Sequence, residues 1–187
     1  MAVETEPDRH VLSRYSSGGW VLRTDRCVAE FAVRLAGLTV VRGWVPALSG
    51  RFTPGAGLEL WLDAKRSATD PKPLAGRIRS LLGVGRHPEI GFESTYCATT
   101  GTDRLVVVGE LEVAGRKTLL ALQARVVSSG EQGVIVHGES YLPLAEVLPG
   151  RKQVKGGWRS RPASLRLTLA AEFTAEAEAA EEEEEAA

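Results

Sequence analysis

Across 187 residues there are only two cysteines and three histidines, and each scarcity closes off a class of function. Cys27 and Cys97 stand far apart, with neither metal-ligand spacing nor the dense framework of a disulfide scaffold. Both are expected as small apolar fillers in or beside strands, a disulfide being the lesser option. His10, His87 and His137 fall in unrelated contexts. No HxxxH, CxxC, GxSxG, P-loop or GxGxxG pattern occurs, which leaves metal-hydrolase, serine-hydrolase and nucleotide-binding readings without local support. No apolar run approaches the roughly 20 residues of a membrane-spanning helix. The first fifteen residues carry acids and no apolar stretch behind a basic start, so no export signal is expected and the default compartment is the cytoplasm.

Charge is plentiful but unevenly placed. The formal net charge is -1, yet seven glutamates fall within residues 175–187, leaving 17 acids against 23 lysines and arginines in residues 1–174, a body of +6. A body of that sign suits an anionic headgroup, a membrane surface or nucleic acid. No basic-aromatic motif accompanies it, so specific nucleic-acid binding is not expected, and a solvated basic surface screened by the tail is the plainer reading. In the Ala/Glu tail, Glu178 and Glu182, and Glu181 and Glu185, place like charges one helical turn apart, which opposes helix despite good intrinsic propensity. Residues 175–187 are therefore expected as an acidic disordered tail and residues 1–17, ending near Ser16-Ser17-Gly18-Gly19, as a flexible lead. The folded domain is expected over residues 18–174.

Between these ends the sequence alternates with a period of two. Phe31, Val33 and Leu35 flank Arg34; Leu58, Leu60 and Leu62 oppose Glu59, Trp61 and Asp63; Leu165, Leu167 and Leu169 alternate with Ser164, Arg166 and Thr168 in a last strand suited to close against the first. Leu105 to Val113 begins apolar on both faces and then alternates, Ala114 to Lys117 forms a hairpin turn, and Thr118 to Val127 returns. Val134 to Tyr141 adds a strand with His137 on the face opposite Val134 and Val136. One exception interrupts the pattern: Leu74, Ile78, Leu81 and Leu82 recur at helical spacing, and Pro88 then starts a strand at Glu89. Asp63, Arg66 and Asp70 cluster at the end of one strand, as a polar rim or as surface ion pairs. The pattern is all-β, that of an antiparallel sandwich or β-barrel of about eight strands with one short helical insertion.

The ordered signals carry a family resemblance. Trp20 and Val21 before Phe31-Ala32-Val33, then Val41-Arg42-Gly43-Trp44 with Gly50-Arg51-Phe52, Ser67-Ala68-Thr69, Arg79-Ser80-Leu81 leading to Pro88 through Thr95, and Val108 through Gly115, together resemble the YceI-like polyisoprenoid-binding family from about Trp20 to Phe173. The resemblance implies an extended lipocalin-like barrel with an apolar interior for an isoprenoid or similar lipid chain, with no cofactor and no catalytic residues. Two stretches depart from the family pattern. His87 stands where the family often has an aromatic residue, and Tyr141 to Val147 replaces a more polar strand.

Face alternation nominates Phe31, Val33, Leu35, Leu60, Leu62, Ile90, Phe92, Val108, Leu122, Val136 and Leu167 as interior, ligand-binding candidates, any strand being open to the opposite register. Trp20, Phe31, Trp44, Phe52, Trp61 and Phe92 either fill the core or line a cavity. The expected function is non-enzymatic binding of an apolar small molecule, an isoprenoid or fatty-acyl chain, with no metal; a homodimer is left open. The alternative is an interaction or stress-response module with a filled barrel, acting through its basic body and acidic tail.

Overall fold

The alternation is realised as a run of antiparallel strands. The computed structural model describes residues 19–53, 57–129, 133–147 and 163–175. Within them the chain forms β1 (Trp20–Leu35), β2 (Leu38–Val45), β3 (Ala47–Thr53), β4 (Gly57–Asp63), β5 (Ala68–Asp70), α1 (Ala75–Leu81), β6 (Glu89–Thr99), β7 (Arg104–Val113), β8 (Arg116–Ser129), β9 (Gly133–Pro143), the single helical turn α2 (Leu144–Val147) and β10 (Ala163–Ala175). The expected lead over residues 1–17, with His10, and the acidic tail lie outside the described residues. Ala175, expected in the tail, is the last residue of β10.

Strand pairing runs β10-β9-β8-β7-β6-β4-β3-β1, and β10 then pairs again with β1, so the sheet closes on itself. β2 and β3 form one stave of the barrel bent at Pro46, which has no N–H to continue a ladder. β4 and β5 likewise form one stave, interrupted by a 3-10 turn at Ala64–Arg66. Asp63 caps that turn, its Oδ1 accepting from the Lys65 and Arg66 N–H groups at 3.0 and 3.2 Å. No ion pair joins Asp63, Arg66 and Asp70, so capping replaces the expected ion-pair role. The ten strands thus make eight staves of a closed antiparallel β-barrel with one short helix. Among the described residues no helix is long and apolar enough to cross a membrane.

Antiparallel order sorts the connections into two ends. The β1–β2 turn, α1, the β7–β8 turn and α2 gather at one, called upper here; the start of β1, the end of β10 and the β6–β7 connection mark the lower. The stretch Tyr141 to Val147, read as strand, divides. β9 ends at Pro143, where the proline cannot donate onward, and Leu144 and Val147 turn inward from one helical turn and are buried.

The lower end is packed solid. Trp20 lies opposite Phe52, and Leu22 opposite Phe173. The Phe52 and Phe173 rings stand 5.9 Å apart and tilted by 52°, a geometry worth about 0.5–1.5 kcal/mol beyond the area it buries. Phe173, Leu105, Val107 and Val134 are the largest fully buried side chains. Each contributes about 1.5–3 kcal/mol through burial.

β6 carries a bulge between Ser94 and Tyr96, where it bends across β7. Gly109 makes that bend fit: a Cβ there would lie 2.2 Å from the Glu93 carbonyl oxygen and 2.5 Å from Ser94 Cα. Backbone atoms cannot swing aside as a flexible side chain can. Gly109→Ala should lower stability by about 1–3 kcal/mol or more in urea unfolding, and an unchanged midpoint would show that the two strands do not approach this closely.

Cys27 and Cys97 are both free and half-buried. Burial disfavours the thiolate, raising Cys97 and pushing Cys27 from 9.0 up to about 11. A thiol raised on folding favours the native state below its unfolded value, and that contribution is lost as pH rises from 9.0 towards about 11. At pH 8, alkylation of Cys27 in Cys97→Ser protein should run roughly a hundredfold slower than in a free peptide. Labelling at the peptide rate would place Cys27 in water.

Candidate functional site

Inward-facing residues near the upper end enclose a cavity of about 130 Å³ with an almost wholly apolar lining. Position along each stave decides which residues reach it. On β7, Leu111 and Val113 line the cavity, whereas the lower Leu105 and Val107 do not. On β10, Leu165, Leu167 and Leu169 line it, and Ala171 and Phe173 below them belong to the solid core. The roof comes from the exceptions to the strand pattern: Ile78 and Leu82, one turn apart along α1 and its C-terminal cap, and Leu144 and Val147 of α2.

Glycines on neighbouring strands fix two wall side chains. Phe31 is the cross-strand partner of Gly43, and a Cβ on Gly43 would come within 2.4 Å of Phe31 Cζ, so the ring lies directly over the bare backbone. Leu122 lies in the same way over Gly138, where a Cβ would meet its Cδ2 at 2.9 Å. Both side chains stay against the wall and leave the middle of the cavity open.

The wall offers little for acid–base chemistry. Its polar residues are Glu30 and Thr168, cross-strand partners at the β1–β10 seam, and Glu30 is exposed. His137 is exposed on the outer face of β9, opposite Val134 and Val136. Also on the outer face, the Tyr141 hydroxyl and the Arg166 guanidinium both bond Glu139 and hold its carboxyl below the usual carboxylate range. Among the described residues no group of three His, Cys, Asp or Glu is placed to hold a metal ion. What the arrangement can do is exclude water from an apolar guest, at roughly 25 cal/mol per Å² of apolar surface removed from water.

Of the eleven residues nominated by alternation, Phe31, Val33, Leu60, Leu62, Ile90, Phe92, Leu122 and Leu167 lie on the cavity wall. Val136 is buried but belongs to the packed core outside the lining. Leu35 is a correction: at the β1–β2 turn, where the barrel wall ends, it is 42% exposed. Val108 is another. The run Leu105 to Val108 is apolar on both faces, and the odd positions face inward, leaving Val108 half-buried on the outer side. Extending the Leu111 and Val113 alternation backwards assigns that face correctly. The aromatics divide as well. Phe31 and Phe92 line the cavity, Trp20 and Phe52 fill the lower core, Trp61 covers Gly91 from outside, and Trp44 is half-exposed.

A family model described as the YceI-like domain matches residues 20–178. Among solved structures, the barrel is similar to Burkholderia cenocepacia BcnA, with a TM-score of 0.64 at 13% identity over 80% of this chain and 98% of that one. It is also similar to a polyisoprenoid binding domain from Saccharophagus degradans implicated in plant cell wall breakdown, with a TM-score of 0.61 at 12% identity over 83% and 98%. A Campylobacter jejuni YCEI protein follows at a TM-score of 0.53 and 10% identity over 75% and 82%. No curated protein matches the chain in sequence. At these identities the structural likeness establishes the fold.

The two halves of the interior should respond differently to truncation. Leu105→Ala, in the solid end, should cost about 5 kcal/mol, while Leu122→Ala, beside existing empty space, should cost nearer about 3 kcal/mol. Equal losses in denaturant unfolding would mean that the upper half is as densely packed as the lower.

Proposed function

The chain belongs to the YceI-like domain family, and on that footing we propose that it binds a long apolar chain, isoprenoid or fatty-acyl, in the upper half of the barrel and carries or sequesters it without chemical change. The observation that carries this reading is the apolar cavity beneath α1 and α2. The similar fold of the polyisoprenoid binding domain from Saccharophagus degradans supports the ligand class. A cavity of about 130 Å³ is on the scale of the roughly 150 Å³ that takes up benzene in an engineered core. A chain of several isoprene units therefore requires the roof to yield. α1 is suited to do so, since none of its residues is buried. Selection would follow length and shape, because apolar contact is non-directional.

The modest size of the cavity also favours a second reading, a filled-barrel interaction or stress-response module that works through its charged surface. Native mass spectrometry of gently purified protein distinguishes the two when combined with titration of farnesol and a fluorescent fatty-acyl probe. Lipid adducts and probe uptake are expected in wild type, with at least tenfold weaker uptake after Leu122→Trp fills the cavity. Adduct-free protein that takes up neither probe would overturn lipid binding and leave the second reading.

A further inference from the structure

The β1–β2 hairpin carries the apolar lining of the barrel past its rim. Phe31 and Val33 line the cavity from β1, and Leu35 has the same parity two residues on; its cross-strand partner is Leu38, where β2 begins. Cross-strand partners share a face, so both leucines continue the inner surface beyond the end of the wall. There Leu38 is 72% exposed, and Leu35 and Val40 are exposed as well. We propose that this hairpin is a membrane-docking element: its apolar tip enters the boundary between headgroups and acyl chains of an anionic phospholipid bilayer, and the arginines behind the tip pair with lipid phosphates. Docking of this kind is a property of the surface and does not require the cavity to take a guest.

The tip is held in shape by its own backbone. Ala36 and Gly37 both have positive φ, 52° and 85°, the signs that a two-residue type I′ turn requires, and the twist of that turn matches its strands. Arg34 Nη2 donates to the Gly37 carbonyl oxygen at 2.8 Å and ties the turn to β1. Val40 is the extra residue of a bulge in β2, because Val33 faces Val41 whereas Arg34 faces Thr39. Three apolar side chains are thus displayed on a formed hairpin, so burying them in a bilayer orders little additional chain.

Charge selects the partner. From Phe31 to Leu58 the sequence holds arginines and no acid. Arg42 is exposed on β2, two residues from the half-exposed Trp44, an amphipathic ring suited to the level of the headgroups. Lys72 and Arg77 add exposed positive charge at the same end, while the acids adjoining this face are Glu30, opposite Trp44, and Asp70, opposite Arg42. The far side of the barrel has the other sign: Glu59, Glu93 and Glu110 stand directly opposite one another on β4, β6 and β7, a row of like charge that costs stability. β6 and β7 lie four staves round the ring from β10 and β1. An anionic bilayer therefore attracts the hairpin side and repels the far side, which sets one orientation. A second copy is the poorer occupant, because a symmetric contact through this face would bring the arginines of both copies together.

Flotation with phosphatidylcholine vesicles, with and without phosphatidylserine, tests the docking on wild type, Leu38→Asn, Arg42→Gln and Leu119→Asn, each checked for an unchanged melting temperature. Leu119, exposed on β8 opposite Glu110, is the matched control. Wild type should bind the phosphatidylserine vesicles and come off as salt rises. Leu38→Asn should weaken that binding about tenfold and Arg42→Gln about fivefold, while Leu119→Asn leaves it unchanged. No binding to phosphatidylserine vesicles, or equal losses in Leu38→Asn and Leu119→Asn, would overturn the docking. A dimer in sedimentation velocity that Leu38→Asn dissociates, with vesicles left unbound, would overturn it too and make the tip a contact between copies. Uptake of a fluorescent fatty-acyl probe in free solution reads the cavity separately. Leu38→Asn should retain that uptake, whereas wild type that binds vesicles and takes up no probe would keep the docking and remove the cavity reading.

Discussion

The pairing of β10 with β1 is the constraint on which the rest of the molecule depends. The ladder runs from Leu35 opposite Ala163 to Trp20 opposite Ala175, broken by one bulge between Leu22 and Cys27. Without it the eight staves would form an open sheet with two unpaired edges and one apolar face towards water. With it, the inward positions within the wall face one interior, and the alternation along each strand becomes a separation of apolar from polar groups.

Closure alone makes a barrel; the unequal filling of its two ends makes a site. Large side chains meet at the lower end, where Phe52, Phe173, Leu105, Val107 and Val134 are all buried. At the upper end, Phe31 and Leu122 lie back over Gly43 and Gly138, and space remains between the walls. The roof is less firmly built than the walls. The strands of the barrel wall are held by ladders, while α1 presents only Ile78 to the cavity, with the buried Leu82 at its C-terminal cap, and buries none of its own residues. Local opening with low free energy is expected of such an element, which fits a barrel that admits a guest through one end.

Much of this was legible in the sequence, because period-two alternation is a direct consequence of strand geometry. It yielded the antiparallel β architecture and eight residues of the cavity wall, while helical spacing marked the helix around Ile78 and the family resemblance implied the barrel. Where alternation was degenerate, it misled: Val106, Val107 and Val108 are interchangeable in hydrophobicity, and only the later Glu110-Leu111-Glu112-Val113 shows which parity faces in. Alternation also says nothing about where a strand leaves the barrel wall, so Leu35 could not be told from Val33. The α2 turn was hidden because Leu142 and Leu144 fit a continuing strand, although Pro143 ends the ladder and Val147 breaks the alternation. Depth along the barrel axis was the largest omission. Val136 and Leu122 share an inward face, but only the assembled topology shows one in the solid half and the other beside the cavity.

The central claim is that an apolar chain leaves water for the upper half of this barrel. Calorimetric titration at several temperatures with geraniol, farnesol and geranylgeraniol measures that transfer directly through the heat-capacity change of binding, the most robust marker of apolar burial. The account predicts a negative heat-capacity change that grows with each added isoprene unit until the cavity is filled. Binding with no heat-capacity change, or no binding by any of the three, would contradict it.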